Sequence, residues 1–368
     1  MSTDVLPPPP KTNGPRAAPA NCPANVRETK IAFGKEPQPD LGTANAPAEL
    51  WSLTKTNPAL STVAANTETN AQDIGKGDEF ATEVYPTSMD VTVPIEKFAS
   101  SEYLAWLFCF STGQATKTAA GTGYTYAAIP SDPAVACINL PAFTVGEQIR
   151  TPPDSIVDRA LIGCVVQEFT ITMESGPGRA NCRVTSTWVG TGKIAAPSDI
   201  TPWPPVTTEH FLNAASATIN VGGIDYILNQ SFVRLEFRLN NNVRLDSGFY
   251  PGSGVDANGF AIRGRMEYGM REFSLTFTAR AIKGQPEFMA LITQTPGPVI
   301  ITLTGAVIAG VNKHGMRIEI PKAQFNSVTN ADQDGIVTVD CSVTPIKDGT
   351  NPLLTMSATT GVDGIFGL

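Results

Sequence analysis

Apolar and polar residues alternate with period two in "MDVTVPIEKF", residues 89–98: Met89, Val91, Val93 and Ile95 on one side, Asp90, Thr92 and Glu96 on the other. Such alternation turns one face of a β-strand to a core and the other to water. A helix start follows at once, with Ser100 or Ser101 as N-cap, Glu102 in the first turn, and Tyr103, Leu104, Trp106, Leu107 and Phe108 behind it. The same succession returns 184 residues later, half of the 368-residue chain. There Phe273, Leu275, Phe277 and Ala279 alternate with Ser274, Thr276, Thr278 and Arg280. Pro286 and Glu287 then open a helix carrying Phe288, Met289, Leu291 and Ile292.

Each strand–helix unit is followed by a connector and a hairpin. In the first hairpin, Phe169, Ile171 and Met173 oppose Glu168, Thr170, Thr172 and Glu174. "SGPGRAN" reverses the chain, and Cys182, Val184, Ser186 and Trp188 alternate with Arg183, Thr185 and Thr187 on the return. In the second, Met316, Ile318 and Ile320 alternate with Arg317 and Glu319, and Val337, Val339, Cys341 and Val343 with Thr338, Asp340, Ser342 and Thr344. The connectors run over about 111–162 and 295–314, and "INVGGIDYILNQSFVRLEFRLNNNVRLDSGF" supplies the opening strands of the second half. The order predicts two related domains, 26–200 and 201–368, joined in the Pro-rich stretch 195–210, behind a Pro-rich extended arm, 1–25. The arm is too poor in large apolar groups to order itself, so it docks on a neighbouring subunit or on its own domain.

Charge narrows the function. Lys plus Arg number 26 against 34 Asp plus Glu, a formal net charge of −8, which argues against a surface built to grip nucleic acid. Gly (32) and Pro (30) are plentiful, as in β-rich folds with many turns. The start shows no signal-peptide pattern, and the longest apolar stretches are shorter than a bilayer requires, so a soluble protein is expected. Six scattered cysteines read as buried thiols from a reducing compartment, with no CxxC pair for zinc. "NADQDG" (330–335) resembles the start of a calcium loop, but Cys341 stands where the bidentate Glu belongs, so a hairpin turn at Asp334–Gly335 is expected. His210 is placed in the linker and His314 in a turn, with no nucleophile elbow for either. No catalytic residue, cofactor or metal is expected.

"VRETKIAFGKEP", "LWSLTKTNPALS", "QDIGKGDEFATEVYPTSMDVTVPIEKFASSEYLAWLFCFSTG" and "DRALIGCVVQEFTITMES…CRVTSTWVGTGK" together resemble the tail tube proteins of long-tailed bacteriophages. The resemblance covers 26–194 directly and 205–368 through the internal echo. It implies a mainly β fold: two tandem β-sandwich or half-barrel tube domains, each flanked by a short helix. It implies a structural virion protein, not an enzyme: the major tube subunit, with a distal tail hub or tail terminator as the alternative. Two tube domains per chain imply a trimeric, pseudo-sixfold ring, stacked into a tube and assembled in the host bacterial cytoplasm. The implied partners are further copies of the chain and the tape measure, terminator and distal tail proteins. DNA would pass without specific binding, and no membrane is involved. Glu168, Thr170, Thr172, Glu174, Thr185, Thr187, Thr338 and Asp340 are the candidates for lining the lumen, the alternative being that their face is the outer surface.

Overall fold

Period-two patterning becomes strand throughout the computed structural model, which describes residues 29–37, 49–52, 61–69, 83–131, 139–150, 155–176, 182–195, 207–256, 259–349 and 351–365. The first run of elements is β1 (Thr29–Lys35), β2 (Glu49–Ser52), β3 (Thr62–Thr69), β4 (Val84–Phe98), α1 (Ser101–Thr112), β5 (Ala115–Ala120), β6 (Gly123–Ala128), β7 (Phe143–Arg150), β8 (Ser155–Glu174), β9 (Cys182–Gly190) and β10 (Ile194–Ala195). The second is β11 (Ala217–Val221), β12 (Ile224–Asp225), β13 (Phe232–Asn240), β14 (Val243–Arg244), β15 (Glu267–Tyr268), β16 (Glu272–Arg280), α2 (Pro286–Thr293), β17 (Gly297–Ala309), β18 (Asn312–Gln333), β19 (Ile336–Pro345) and β20 (Thr355–Thr360). The arm 1–25, most of the 195–210 stretch, Cys22, Cys137 and part of the "SGPGRAN" turn lie outside the described residues.

One antiparallel pairing order occurs twice. In the first run it is β2-β1-β7-β8-β9-β4-β3. In the second it is β12-β11-β17-β18-β19-β16-β13. Even the short additions agree, since β10 pairs with β8 as β20 pairs with β18. The longest strands explain the layering. The first part of β8 pairs with β7 and the rest with β9, while β18 changes partner from β17 to β19 around Ala323. Each long strand thus turns a corner from one layer into the next, as strands do where two sheets share a core. In β8 the corner holds Gly163 at φ 68, where an added Cβ would stand 2.3 Å from Thr191 Cγ2.

The stretches expected as connectors carry more structure than that. β5, β6 and β7 occupy much of 111–162, and β17 fills 297–309. The reason is visible in β17, where Val299, Ile301 and Leu303 are buried and alternate with half-buried neighbours. The "NADQDG" stretch is a hairpin turn, with Asp334 and Gly335 at φ 55 and 79.

A seam joins the two runs. The C-terminal part of β8 pairs with β13 over seven residues, from Glu168↔Asn240 to Glu174↔Arg234. Beneath the ladder the core is continuous, with Phe169 6.0 Å from Phe237 and 5.9 Å from Phe108 between ring centroids. Hydrogen bonds from β20 to β6 close the other side of the seam.

Helix α1 lies inside this seam and is buried on every side. Ser100 caps it by accepting from the Tyr103 amide at 3.4 Å, and Gly113 ends it at φ 80. It packs on β6, β8, β18 and β20. Trp106 stands at the centre of an aromatic cluster, 4.0 Å from Phe110, 4.3 Å from Phe33 and 4.7 Å from Trp188. Truncating such a ring leaves a cavity that its stiff neighbours cannot fill. Trp106→Ala is therefore expected to cost about 3–5 kcal/mol of unfolding free energy in a urea titration.

Candidate functional site

A single sheet of eight strands, β3-β4-β9-β8-β13-β16-β19-β18, crosses both runs and includes the seam. One of its faces is core: Val93, Trp188, Phe169, Phe237, Phe277 and Cys341 are all buried. Its other face is mainly polar. Cross-strand neighbours form rows such as Arg183–Thr172–Glu236–Thr276–Ser342–Ser327 and Glu174–Arg234–Thr278–Asp340–Thr329. Side-chain period two on every strand keeps these rows in register.

This face holds all the residues singled out from the sequence. Glu168, Thr170, Thr172 and Glu174 stand on β8, Thr185 and Thr187 on β9, and Thr338 and Asp340 on β19. Thr338 differs from the rest in being buried, with its hydroxyl 3.4 Å from the Ala331 carbonyl oxygen. Sequence reasoning expected a strand within 219–249 but missed that it lies beside β8 and shares this face. β13 places Arg234, Glu236 and Arg238 on the same face, and its alternation with Leu235, Phe237 and Leu239 was the available signal. Arginines and carboxylates are neighbours here: Arg238 Nε lies 3.2 Å from Glu168, Arg234 3.2 Å from Glu236, and Arg183 3.7 Å from Glu96. Such exposed pairs add little stability, but they leave the face with few uncompensated cations. Thr278 donates to Asp340 at 2.6 Å. Around Arg234, Glu236, Thr276, Thr278, Asp340 and Ser342 the surface forms a shallow depression.

Among the described residues the two ends of this sheet are open. β3 pairs only with β4, and beyond Ala323 β18 pairs only with β19, among the described strands. Unpaired edge amides and carbonyls are templates for another strand.

His210 lies in an irregular stretch, as expected of the linker, but His314 is not in a turn. His314 lies within β18 and is buried, and His210 stacks on it at 3.7 Å between ring centroids and 14° between planes. Both face Glu102, the fully buried carboxylate in the first turn of α1. His210 Nδ1 lies 2.9 Å and His314 Nδ1 3.3 Å from Glu102 Oε1. Thr360 donates to the same oxygen at 2.9 Å, and the His210 amide donates to Oε2 at 2.8 Å. Ser101 Oγ stands 2.9 Å from His314 Nδ1. Beside them buried Lys97 pairs with Glu209, which also accepts from Ser100 at 2.8 Å. Glu102, His210 and His314 bring three metal-ligand atoms together. Parallel rings suit an ion poorly, since one about 2.1 Å from both nitrogens would lie well outside both ring planes. The cluster works instead as a clasp, tying the N-terminus of α1 to β18 and β20.

The one hydroxyl beside an imidazole in this cluster, Ser101 next to His314, is buried together with its partner. Cys182 and Cys341 are buried, and burial first of all raises each thiol to about 12; Cys164 is buried and raised as well. Repeated β layers, strand edges open among the described residues and one polar sheet face define a protein built for assembly. A family model described as "Phage tail tube protein" matches residues 27–345, and the chain belongs to that family. No curated protein matches it. Membership makes it a structural virion component of the phage tail that self-assembles into a tube, in a family that is not enzymatic. No helix among the described residues is long and apolar enough to cross a membrane.

The clasp carries a pH signature. Burial, and then His210, lower the His314 pKa from 6.5, with Glu102 opposing. Below about pH 6.5 the unfolded chain therefore binds a proton at this residue that the folded chain resists, so this contribution to stability is lost as pH falls. Thermal unfolding followed by circular dichroism is expected to show a falling midpoint from pH 7.5 to 5.5, flattened in His314→Gln.

Proposed function

We propose that this chain is the major subunit of the tail tube, carrying two tube domains, 26–200 and 201–368, and that three copies close a pseudo-sixfold ring. Rings stack around a lumen through which phage DNA is delivered. The observation that carries this reading is the seam: β13 completes β8 within the chain, and the same two kinds of edge, β3 and the end of β18, stand open at the sheet's limits. β3 is to β4 what β13 is to β16, and β18 is to β19 what β8 is to β9. Carrying the internal register across aligns residues 62–66 of one copy with 333–329 of the next, antiparallel. A head-to-tail contact of this kind closes a ring if its rotation divides the circle. Closure of a six-unit ring by chains of two units each takes three subunits.

The polar face then lines the bore. Glu168, Thr170, Thr172, Glu174, Thr185, Thr187, Thr338 and Asp340 belong to that wall, with Arg183, Arg234 and Arg238 held beside carboxylates. Such a wall gives a duplex no run of bare cations to release counterions against, so DNA slides without specific binding. The arm 1–25 reaches a neighbouring subunit. Tape measure, terminator and distal tail proteins meet the tube inside and at its ends, and assembly takes place in the host bacterial cytoplasm.

Negative-stain microscopy of the purified chain is expected to show striated tubes with a stain-filled bore; an isolated, non-polymerising ring would favour a hub or terminator. A second measurement tests the register. Ala64 and Ala331 face each other across the inferred seam, so the double variant Ala64→Cys, Ala331→Cys is expected to oxidise to covalent trimers. Denaturing gels without reductant should stop at three chains. A stop at six chains would return the ring to a hexamer, and links confined to single chains would sink the seam.

A further inference from the structure

The two helices follow equivalent strands but meet different fates. α1 is enclosed, and part of its cover is β20, which belongs to the second run of elements. α2 packs mainly on β18. Its inner side is anchored: Glu287 is buried and accepts from Tyr226 Oη at 3.0 Å, and Ala290 and Leu291 pack on the core. Its outer side is apolar and bare. Phe288, Met289 and Ile292 are 44%, 52% and 59% exposed, and in the turn after Tyr226 Leu228 is 80% exposed. Apolar residues grouped in this way on a soluble fold mark a contact surface.

Two observations say what covers it. The first is the seam inside the chain, where the run that supplies β13 to the edge of β8 also supplies β20 to the helix beside that edge. Edge and helix are covered together, by one partner. The second is continuity. The side chain of Gln294, the C-cap of α2, hydrogen-bonds to Gln324, and beyond Ala323 β18 has left β17 and, among the described strands, its outer edge lies open. The bare helix face and the open strand edge are therefore neighbouring parts of one surface.

We propose that the outer face of α2, with Leu228, is the apolar half of the ring-closing contact, and that its occupant is the first tube domain of the next copy of this chain. The inference rests on the tube-ring reading and adds to it a surface which strand pairing alone does not require. The occupant docks on α2 as the second run docks on α1. Strand pairing sets the register, while the helix face supplies the dry contact that slows dissociation. The chemistry suits a permanent neighbour: the helix "PEFMALIT" has Glu287 as its one charged residue, and that residue points inward.

The test uses the full chain. Met289→Glu with Ile292→Glu places two carboxylates on the bare face while leaving Glu287, Ala290 and Leu291 on the core. Circular dichroism should show a folded monomer with an unchanged unfolding midpoint, while the protein concentration needed for rings rises about tenfold or more, as the loss of one well-buried apolar contact would cause. A benzophenone attached at Met289→Cys provides a measurement independent of that variant. In a mixture of isotopically light and heavy chains it should form light–heavy cross-links that map to residues 26–200. Rings of normal stability from the double-Glu variant, or cross-links that map elsewhere, overturn the proposal and leave the face to a different virion protein. Wild-type chains that never form rings would instead remove the tube reading itself, so the two failures are distinguishable.

Discussion

A strand at the border of a sheet exposes a row of amides and carbonyls that must find partners, and the rest of this molecule is arranged around that requirement. Between β8 and β13 the requirement is met inside one polypeptide, over seven residue pairs. The ladder makes one sheet of two repeats, keeps its polar and apolar faces in register, and places α1 under a roof to which both repeats contribute. A half-buried sheet tolerates no slip of one residue, because a slip would send Phe169, Ile171 and Met173 to the wet face. Registry at the seam is therefore as strongly specified as registry within each repeat.

Much of this was legible in the chain. The alternation at 89–95 and 273–279 marked β4 and β16, and the helix starts at Ser100 and Pro286 marked α1 and α2 within a residue. The candidate residues of β8, β9 and β19 fell on one face because period two is a local property. What was not legible depends on partners. β5, β6 and β17 lie in stretches expected as connectors, although Val299, Ile301 and Leu303 carry the β signal. Glu102, His210 and His314 are separated by about a hundred residues each, and no local pattern announces that they meet. Arg234 and Arg238 join the site only because β13 pairs beside Glu174 and Glu168, a contact that no local pattern encodes.

The two repeats have diverged in a physically coherent way. The first has inserted the β5–β6 hairpin after its helix, filled the helix environment with Phe33, Trp106, Phe110, Phe143 and Trp188, and closed it with the Glu102 clasp. The second runs from α2 into β17 with a short turn and keeps a smaller aromatic group around Tyr226, Phe277 and Phe325. Dense packing lies where the seam is permanent. Lighter packing and exposed apolar residues lie where the chain ends its own sheet.

The covalent link between the repeats has a kinetic consequence. The β8–β13 contact forms as the chain folds, at an effective concentration set by the tether and independent of how many molecules are present. In the proposed ring of three chains, half of all sheet contacts would exist before any collision, and closure would be a third-order problem in protein where six separate repeats would face a sixth-order one. On that proposal, fusing two repeats would lower the nucleation barrier of the polymer without strengthening a single contact, and most when the subunit is scarce.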